Sequence, residues 1–188
     1  MLFRSVVRDL PAPALPGRIQ YDNASTVIAA LMSLRAALPL TEEAIREGLV
    51  QAEIAARFQR VAGEVECVFD VAHNPDAARV LAENLRAMPA TGRTHGVMGM
   101  FRDKAVEEVA LTMAPHLERW YLGGIEGPRG QSAAELAARV HAAVPRVATG
   151  EYPTVAAAYA AARAQARSGD RVVIFGSFQT VSAVLKDF

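Results

Sequence analysis

At 188 residues the chain is long enough for one full domain with its own core, or for one domain and part of another. Its 52% apolar and 21% charged residues match the usual globular mix and exclude a disordered tail, a collagen-like repeat or a coiled-coil fibre. Twenty basic residues balance twenty acidic ones, so the positive field of a nucleic-acid or anionic-membrane binder is absent and neither partner is expected.

No run approaches the roughly 18 to 20 apolar residues that span a bilayer, and Arg4, Arg8 and Asp9 interrupt the place where a signal peptide would be apolar. A cytoplasmic protein is expected. The lone Cys67 cannot form an intrachain disulfide and lies in the apolar run 65–71, which reads as a buried strand with a core thiol.

Taken in chain order, residues 3–7 are a possible strand, and Pro11, Pro13 and Pro16 then impose an extended connector because they lack backbone N–H groups. From Asn23 the apolar positions Val27, Ile28, Leu31 and Leu34 recur at helical spacing until Pro39. Thr41, followed by Glu42 and Glu43, is an N-cap with acidic residues in the first turn, which predicts a second helix to about residue 55.

After Arg57 short apolar runs alternate with longer amphipathic ones, the pattern of a doubly wound, mostly parallel Rossmann-like α/β sheet with helices on both faces. Strands are predicted at 65–71, 94–100, 119–122, 146–148 and 171–175, and helices at 76–88, 103–116, 132–143, 155–167 and 181–188, giving five βα units. The domains expected are 1–55, a helical remnant of another domain, and 56–188, the α/β domain.

Open α/β sheets bind ligands beyond the carboxyl ends of their strands. Asp70, His73 and Asn74 close the first predicted strand, where a helix start can hold phosphate or carboxylate oxygens; the plainer reading makes Asn74 an N-cap and Asp70–His73 a local hydrogen-bonded pair. Lys104 follows Gly99 and Asp103, and a solvated first helical turn capped by Asp103 explains the same residues. Gly176 permits a close approach or an unusual backbone, and Ser177 and Thr180 offer hydroxyls at a helix start, as ligands or as caps. There is no G-x-G-x-x-G fingerprint, no phosphate-cradling P-loop, no G-x-S-x-G elbow and no zinc-ligand spacing among the four histidines, so no metal-ligating residue is expected.

Read together, Ala56-Arg57-Phe58-Gln59, Phe69-Asp70-Val71-Ala72-His73-Asn74-Pro75, Gly99-Met100 with Asp103-Lys104, Trp120-Tyr121, Glu126-Gly127-Pro128-Arg129-Gly130 and Gly176-Ser177-Phe178 with Thr180-Val181 closely resemble one family. It is the carboxy-terminal domain of bifunctional dihydrofolate synthase/folylpolyglutamate synthases, within the Mur ligase superfamily. Gln20 with Asn23-Ala24 is similar to the end of the central ATPase domain of the same enzymes.

The resemblance implies an ATP- and Mg²⁺-dependent amide ligase. A pteroate or folate carboxylate takes the γ-phosphoryl group of ATP, and the amine of L-glutamate captures the acyl phosphate. By the same analogy Asn23 contacts adenine, Arg57 and Asp70 bind the ribose and phosphate part of ATP, and His73 and Ser177 act catalytically by holding glutamate near the γ-phosphate. Lys104 and Asn74 are weaker carry-overs to substrate. The family's P-loop, Mg²⁺ ligands and most of its pteridine pocket have no counterpart here, so this stretch alone is expected to be inactive. The missing ATPase domain is an expected partner, and the helices in 20–55 are expected to self-associate. Ala55-Ala56 also replaces the family's Pro-Gly, which alters hinge stiffness. Two other readings stand beside the ligase: a stand-alone α/β binding or regulatory module with vestigial motifs, and an unrelated hydrolase centred on Asp70 and His73.

Overall fold

The structure is a computed structural model and describes residues 8–186 and 188. The possible strand at 3–7 lies outside the described residues. The chain divides between Ile54 and Ala55 into two compact units.

The first unit holds α1 (Ile19–Ser33) and α2 (Glu42–Gln51). Thr41 caps α2, its hydroxyl accepting from the Ala44 N–H at 3.1 Å as the sequence predicts. Helix α1 begins four residues before Asn23, and α2 ends at Gln51 rather than near 55. Arg46 of α2 bonds the carbonyls of Asp9 and Arg8 at 2.7 and 3.0 Å, and Ala14 N–H donates to Leu49 O, which tethers the proline-rich segment to the helix. Helix α1 buries no residue.

The second unit is built on a six-stranded sheet in the order β1-β2-β6-β3-β4-β5. Its elements are β1 (Gln59–Val61), β2 (Glu66–Asp70), α3 (Pro75–Ala87), β3 (Thr94–Met98), α4 (Val106–Met113), a 3₁₀ turn (Ala114–His116), β4 (Arg119–Gly123), α5 (Ala133–Ala143), β5 (Thr149–Tyr152), α6 (Val155–Gln165), β6 (Arg171–Phe175) and α7 (Phe178–Leu185). Only β1 is antiparallel; β2 through β6 pair in parallel.

Alternation along the strands supplies two cores. Val68, Val173 and Phe175 face α3, α4 and α5, while Cys67, Phe69, Val172 and Ile174 face α6 and α7. All of β6 is buried, as a central parallel strand covered on both faces must be. Cys67 is a core thiol, 1% exposed.

Three predicted elements moved for physical reasons. The strand expected at 146–148 lies at Thr149–Tyr152, a half-exposed edge with no apolar run to announce it. The helix expected at 181–188 starts at Phe178, because Ser177 caps it from the preceding loop. Helix α4 starts at Val106 after Ala105, so Asp103 is not its cap. The edge strand β1 makes six strands where five βα units were expected.

The amino end of the sheet is held by charge. Arg171, 3% exposed, donates Nε to Glu66 Oε2 at 2.6 Å, and Asp170 accepts from the backbone N–H of Arg93 and Arg167 at 2.7 and 2.8 Å and faces His95 Nε2 at 3.3 Å. The Arg167 N–H bond, with those of Arg93 and His95, outweighs desolvation and holds the Asp170 carboxyl below its ordinary 3.8. A depressed carboxylate stabilises the fold above its unfolded pKa, and that contribution is lost as pH falls through the folded value. Asp170→Asn is therefore expected to flatten the acid limb of stability below about pH 4, read from urea midpoints between pH 2.5 and 7. An unchanged acid limb would contradict this.

Candidate functional site

Helices following β2, β3 and β4 pack on one face of the sheet, whereas α7, which follows the interleaved β6, packs on the other. The chain therefore parts on either side of β6, which makes the carboxyl ends of β2, β6 and β3 the switch point at which open α/β sheets bind ligands. Phe175 pairs with Asp70 of β2 and with Met98 of β3, so the turns after all three strands adjoin. The predicted positions Asp70, His73, Asn74 and Ser177 lie at or just after the carboxyl ends of β2 and β6.

Gly176 sits at φ +118°, and a Cβ there would lie 2.3 Å from Gly99 O, so the β6 and β3 turns meet backbone to backbone. Ser177, 3% exposed, accepts from Thr180 N–H at 2.9 Å and lies 2.7 Å from Thr180 Oγ1, which donates to Gly99 O at 2.6 Å. Ser177 is thus the cap of α7 whatever else it does.

The Asp70 carboxylate is engaged on both oxygens. Oδ2 accepts from Phe58 N–H at 2.9 Å and Oδ1 from Ala72 N–H at 2.8 Å. Asp70 and His73 do not pair with each other, contrary to the local-pair reading: His73 Nδ1 lies 2.9 Å from Val71 O. A carbonyl only accepts, so Nδ1 carries the proton, and Nε2 has no protein partner among the described residues. Burial raises the Asp70 pKa above its ordinary value, against the Ala72 and Phe58 N–H groups and the Arg57 charge. Asn74 is an N-cap, its Oδ1 accepting from Ala77 N–H at 2.8 Å, as the plainer reading held.

Arg57 is exposed on a turn between two left-handed residues, Ala56 at φ +60° and Phe58 at φ +49°. The turn is held by Asp70, by Gln59 Oε1 on Ala56 N–H (3.0 Å) and by Val71 N–H on Ala56 O (3.0 Å). A left-handed alanine costs about 1 to 2 kcal/mol. Ala56→Gly is accordingly expected to stabilise the unit by about 1 kcal/mol, measured by urea unfolding; a loss of stability would contradict the strain.

Lys104 lies in the loop after β3, with Nζ 3.6 Å from Asp103 Oδ2. Asp103 instead takes a forked contact from Arg129 at 2.9 to 3.2 Å. Arg139 of α5 bonds Glu107 and the carbonyls of Arg102 and Lys104. The sequence reading missed this brace, since nothing local marks Arg139 as a partner for a loop 35 residues away. Asn23 belongs to the first unit, exposed on α1 with Nδ2 on Gln20 Oε1 at 3.1 Å. Among the described residues no three His, Cys, Asp or Glu side chains converge as a metal site requires. No helix of the described residues is long and apolar enough to cross a membrane.

The family described as Mur ligase, glutamate ligase domain matches residues 56–178. The chain belongs to that family. It is 36% identical to the dihydrofolate synthase/folylpolyglutamate synthase of Escherichia coli K12 over 96% of its length, and 31% identical to that of Haemophilus influenzae over 88%. The structure of Escherichia coli FolC in complex with DHPP and ADP superposes with a TM-score of 0.83 at 35% identity, covering 96% of this chain. A bifunctional synthase with Mn, AMPPNP and L-glutamate bound gives 0.81 at 34% identity and the same coverage. The chain spans about 40% of the length of these relatives: 40% and 41% of the two synthases and 41% of each solved chain. Its fold is that of their Mur ligase C-terminal domain.

Proposed function

We propose that this chain is the glutamate-ligase part of an ATP-dependent ligase that adds L-glutamate to dihydropteroate, reduced folates or both. The observation that carries the reading is the meeting of the β2, β6 and β3 turns at the sheet's switch point, with His73 Nε2 free and Arg57 presented on a braced turn. Likeness over nearly the whole chain to synthases solved with ADP or with L-glutamate supports it.

In the reaction the pteroate or folate carboxylate attacks the γ-phosphorus of ATP, and ADP leaves. The glutamate amine then attacks the acyl phosphate, losing a proton as phosphate departs. Arg57 sets positive charge against the ATP phosphates. Asp70 reaches ribose only with the lone pairs its two backbone bonds leave, and acts first by holding the Arg57 turn. His73 and Ser177 hold glutamate, with Lys104 and the Asn74 amide as outer contacts. The P-loop, the Mg²⁺ ligands and most of the pteridine pocket belong to an ATPase domain that would be this chain's partner. The exposed Tyr21 and Val27 of α1, with Leu34 at its C-terminal cap, are the apolar residues such a domain would cover, or that copies of the chain would share in its absence.

The test compares the 188-residue chain with the whole ligase on ATP, dihydropteroate and glutamate. The chain alone is expected to make no product, and the whole ligase to make dihydrofolate and ADP. His73→Ala in the whole ligase is expected to lower kcat/KM at least about a hundredfold with its melting temperature nearly unchanged. A melting loss that accounts for the activity loss would reduce His73 to a structural role.

A further inference from the structure

The loops that follow β3 and β4 are tied into one block. Arg102 donates its backbone N–H to Arg129 O at 3.0 Å and its Nε to Gly130 O at 2.6 Å, and Gln131, 4% exposed, donates Nε2 to Met100 O at 2.7 Å. Arg139 joins that block to α5, which a capping box and the buried Leu136, Ala137 and Val140 hold in place. Its guanidinium forks onto Glu107 at 2.6 and 2.7 Å and donates to Arg102 O and Lys104 O at 2.9 Å each. Helix α4 starts with no side-chain cap, so Arg139 holds from outside the chain that enters it.

Within the block Lys104 is fixed by its backbone and left open at its ammonium. Its N–H donates to Phe101 O at 3.1 Å, and its carbonyl accepts from Val106 N–H at 2.9 Å as well as from Arg139, which spends both lone pairs. The Nζ makes no hydrogen bond among the described residues. Asp103, whose Oδ2 is 3.6 Å away, is taken instead by Arg129, which forks onto both of its oxygens at 2.9 to 3.2 Å and lies over the Phe101 ring at 4.8 Å. A compact ammonium, its side chain 29% exposed and its neighbouring acid engaged elsewhere, suits an incoming carboxylate.

We propose that Arg139 is a positioning residue that acts through Lys104, fixing the ammonium that receives a carboxylate oxygen of the incoming amino acid. This rests on the ligase reading above, in which Lys104 is an outer contact to glutamate. An arginine suits the task because its planar donors serve one carboxylate and two carbonyls at once. Without it the loop keeps its charge and loses its place.

In the whole ligase, Arg139→Met and Lys104→Met are each expected to raise the glutamate KM about tenfold, with kcat and the ATP KM changed less than about threefold. In a Lys104→Met background, Arg139→Met is expected to add less than about twofold, since no ammonium is left to misplace. Equal rises in both backgrounds would overturn the proposal, because Arg139 would then act through the fold or by its own contact with substrate. An unchanged glutamate KM in either single variant would overturn it as well. Should Arg139→Met fail to fold, Glu107→Gln, which keeps the side chain's shape and weakens the fork, takes its place in the same cycle.

Amide exchange separates failure of this proposal from failure of the ligase reading. In the 188-residue chain, Arg139→Met is expected to speed exchange at Lys104 and Val106 at least about tenfold, with the amides of β3 and β6 unchanged. Unchanged exchange at Lys104 would overturn the clamp whatever the whole protein does. Faster exchange there, in a whole protein that makes no product, would leave the clamp standing and overturn the carboxylate role together with the ligase reading.

Discussion

Gly176→Ala is expected to cost the α/β unit at least about 3 kcal/mol. Two independent penalties add at this position. The backbone at φ +118° is a conformation that a side chain rarely adopts, and the new Cβ would lie 2.3 Å from Gly99 O and 3.1 Å from Gly99 C. The obstacle is backbone, so no rotamer change relieves it. Gly99 cannot retreat without breaking the Thr180 bond to its carbonyl, and β3 and β6 are central strands with helices on both faces. Urea unfolding of the variant checks the figure. A loss under about 1 kcal/mol would mean that the β3 and β6 turns can part freely and do not meet backbone to backbone.

The sequence disclosed this fold where burial is two-sided and concealed it where burial is partial. Strand β6 was legible to the residue because Arg171-Val172-Val173-Ile174-Phe175 is an unbroken apolar run after one arginine. Strand β5, Thr-Gly-Glu-Tyr, was misplaced because an edge needs no apolar run, and β1, Gln-Arg-Val, was missed for the same reason. The site residues were found as chemistry at strand ends, but their hydrogen-bond partners were not. Nothing local in the sequence says that Asp70 answers to Phe58, twelve positions earlier, or Thr180 to Gly99, 81 positions earlier. The first arises from the antiparallel pairing of β1 with β2, and the second only when the sheet order sets β6 beside β3. Ala56 is the instructive departure. The glycine that the resemblance implies at that position would suit the left-handed backbone that the structure shows, and the alanine of this chain adopts it under strain.

Asp70→Ala is expected to lower both stability and, in the whole ligase, the affinity for ATP, so that Asp70 behaves unlike His73. Its carboxylate bonds two backbone N–H groups, and losing both leaves partly buried donors unpaired, at about 2 to 4 kcal/mol. One of them, Phe58 N–H, anchors a turn whose two left-handed residues are held open only by such bonds. Without it the turn relaxes and Arg57 loses its fixed presentation, which raises the KM for ATP more than it lowers kcat. Asp70→Asn keeps one acceptor oxygen and is expected to lose roughly half as much. The pH dependence gives a second check with a definite sign. Burial raises the folded pKa of Asp70 above its ordinary 3.8 despite the opposing Ala72, Phe58 and Arg57 contributions. A raised carboxylate contributes stability that is fully present below the unfolded value and is lost as pH rises through the folded one. The stability difference between the native chain and Asp70→Asn should therefore shrink upward from about pH 4, opposite to the trend at Asp170, where stability is lost as pH falls. Unfolding midpoints for both asparagine variants across that range decide it: two slopes of the same sign would show that Asp70 is not desolvated as its position requires. A stability of Asp70→Ala within about 0.5 kcal/mol of the native chain would show that the carboxylate does not hold the Arg57 turn.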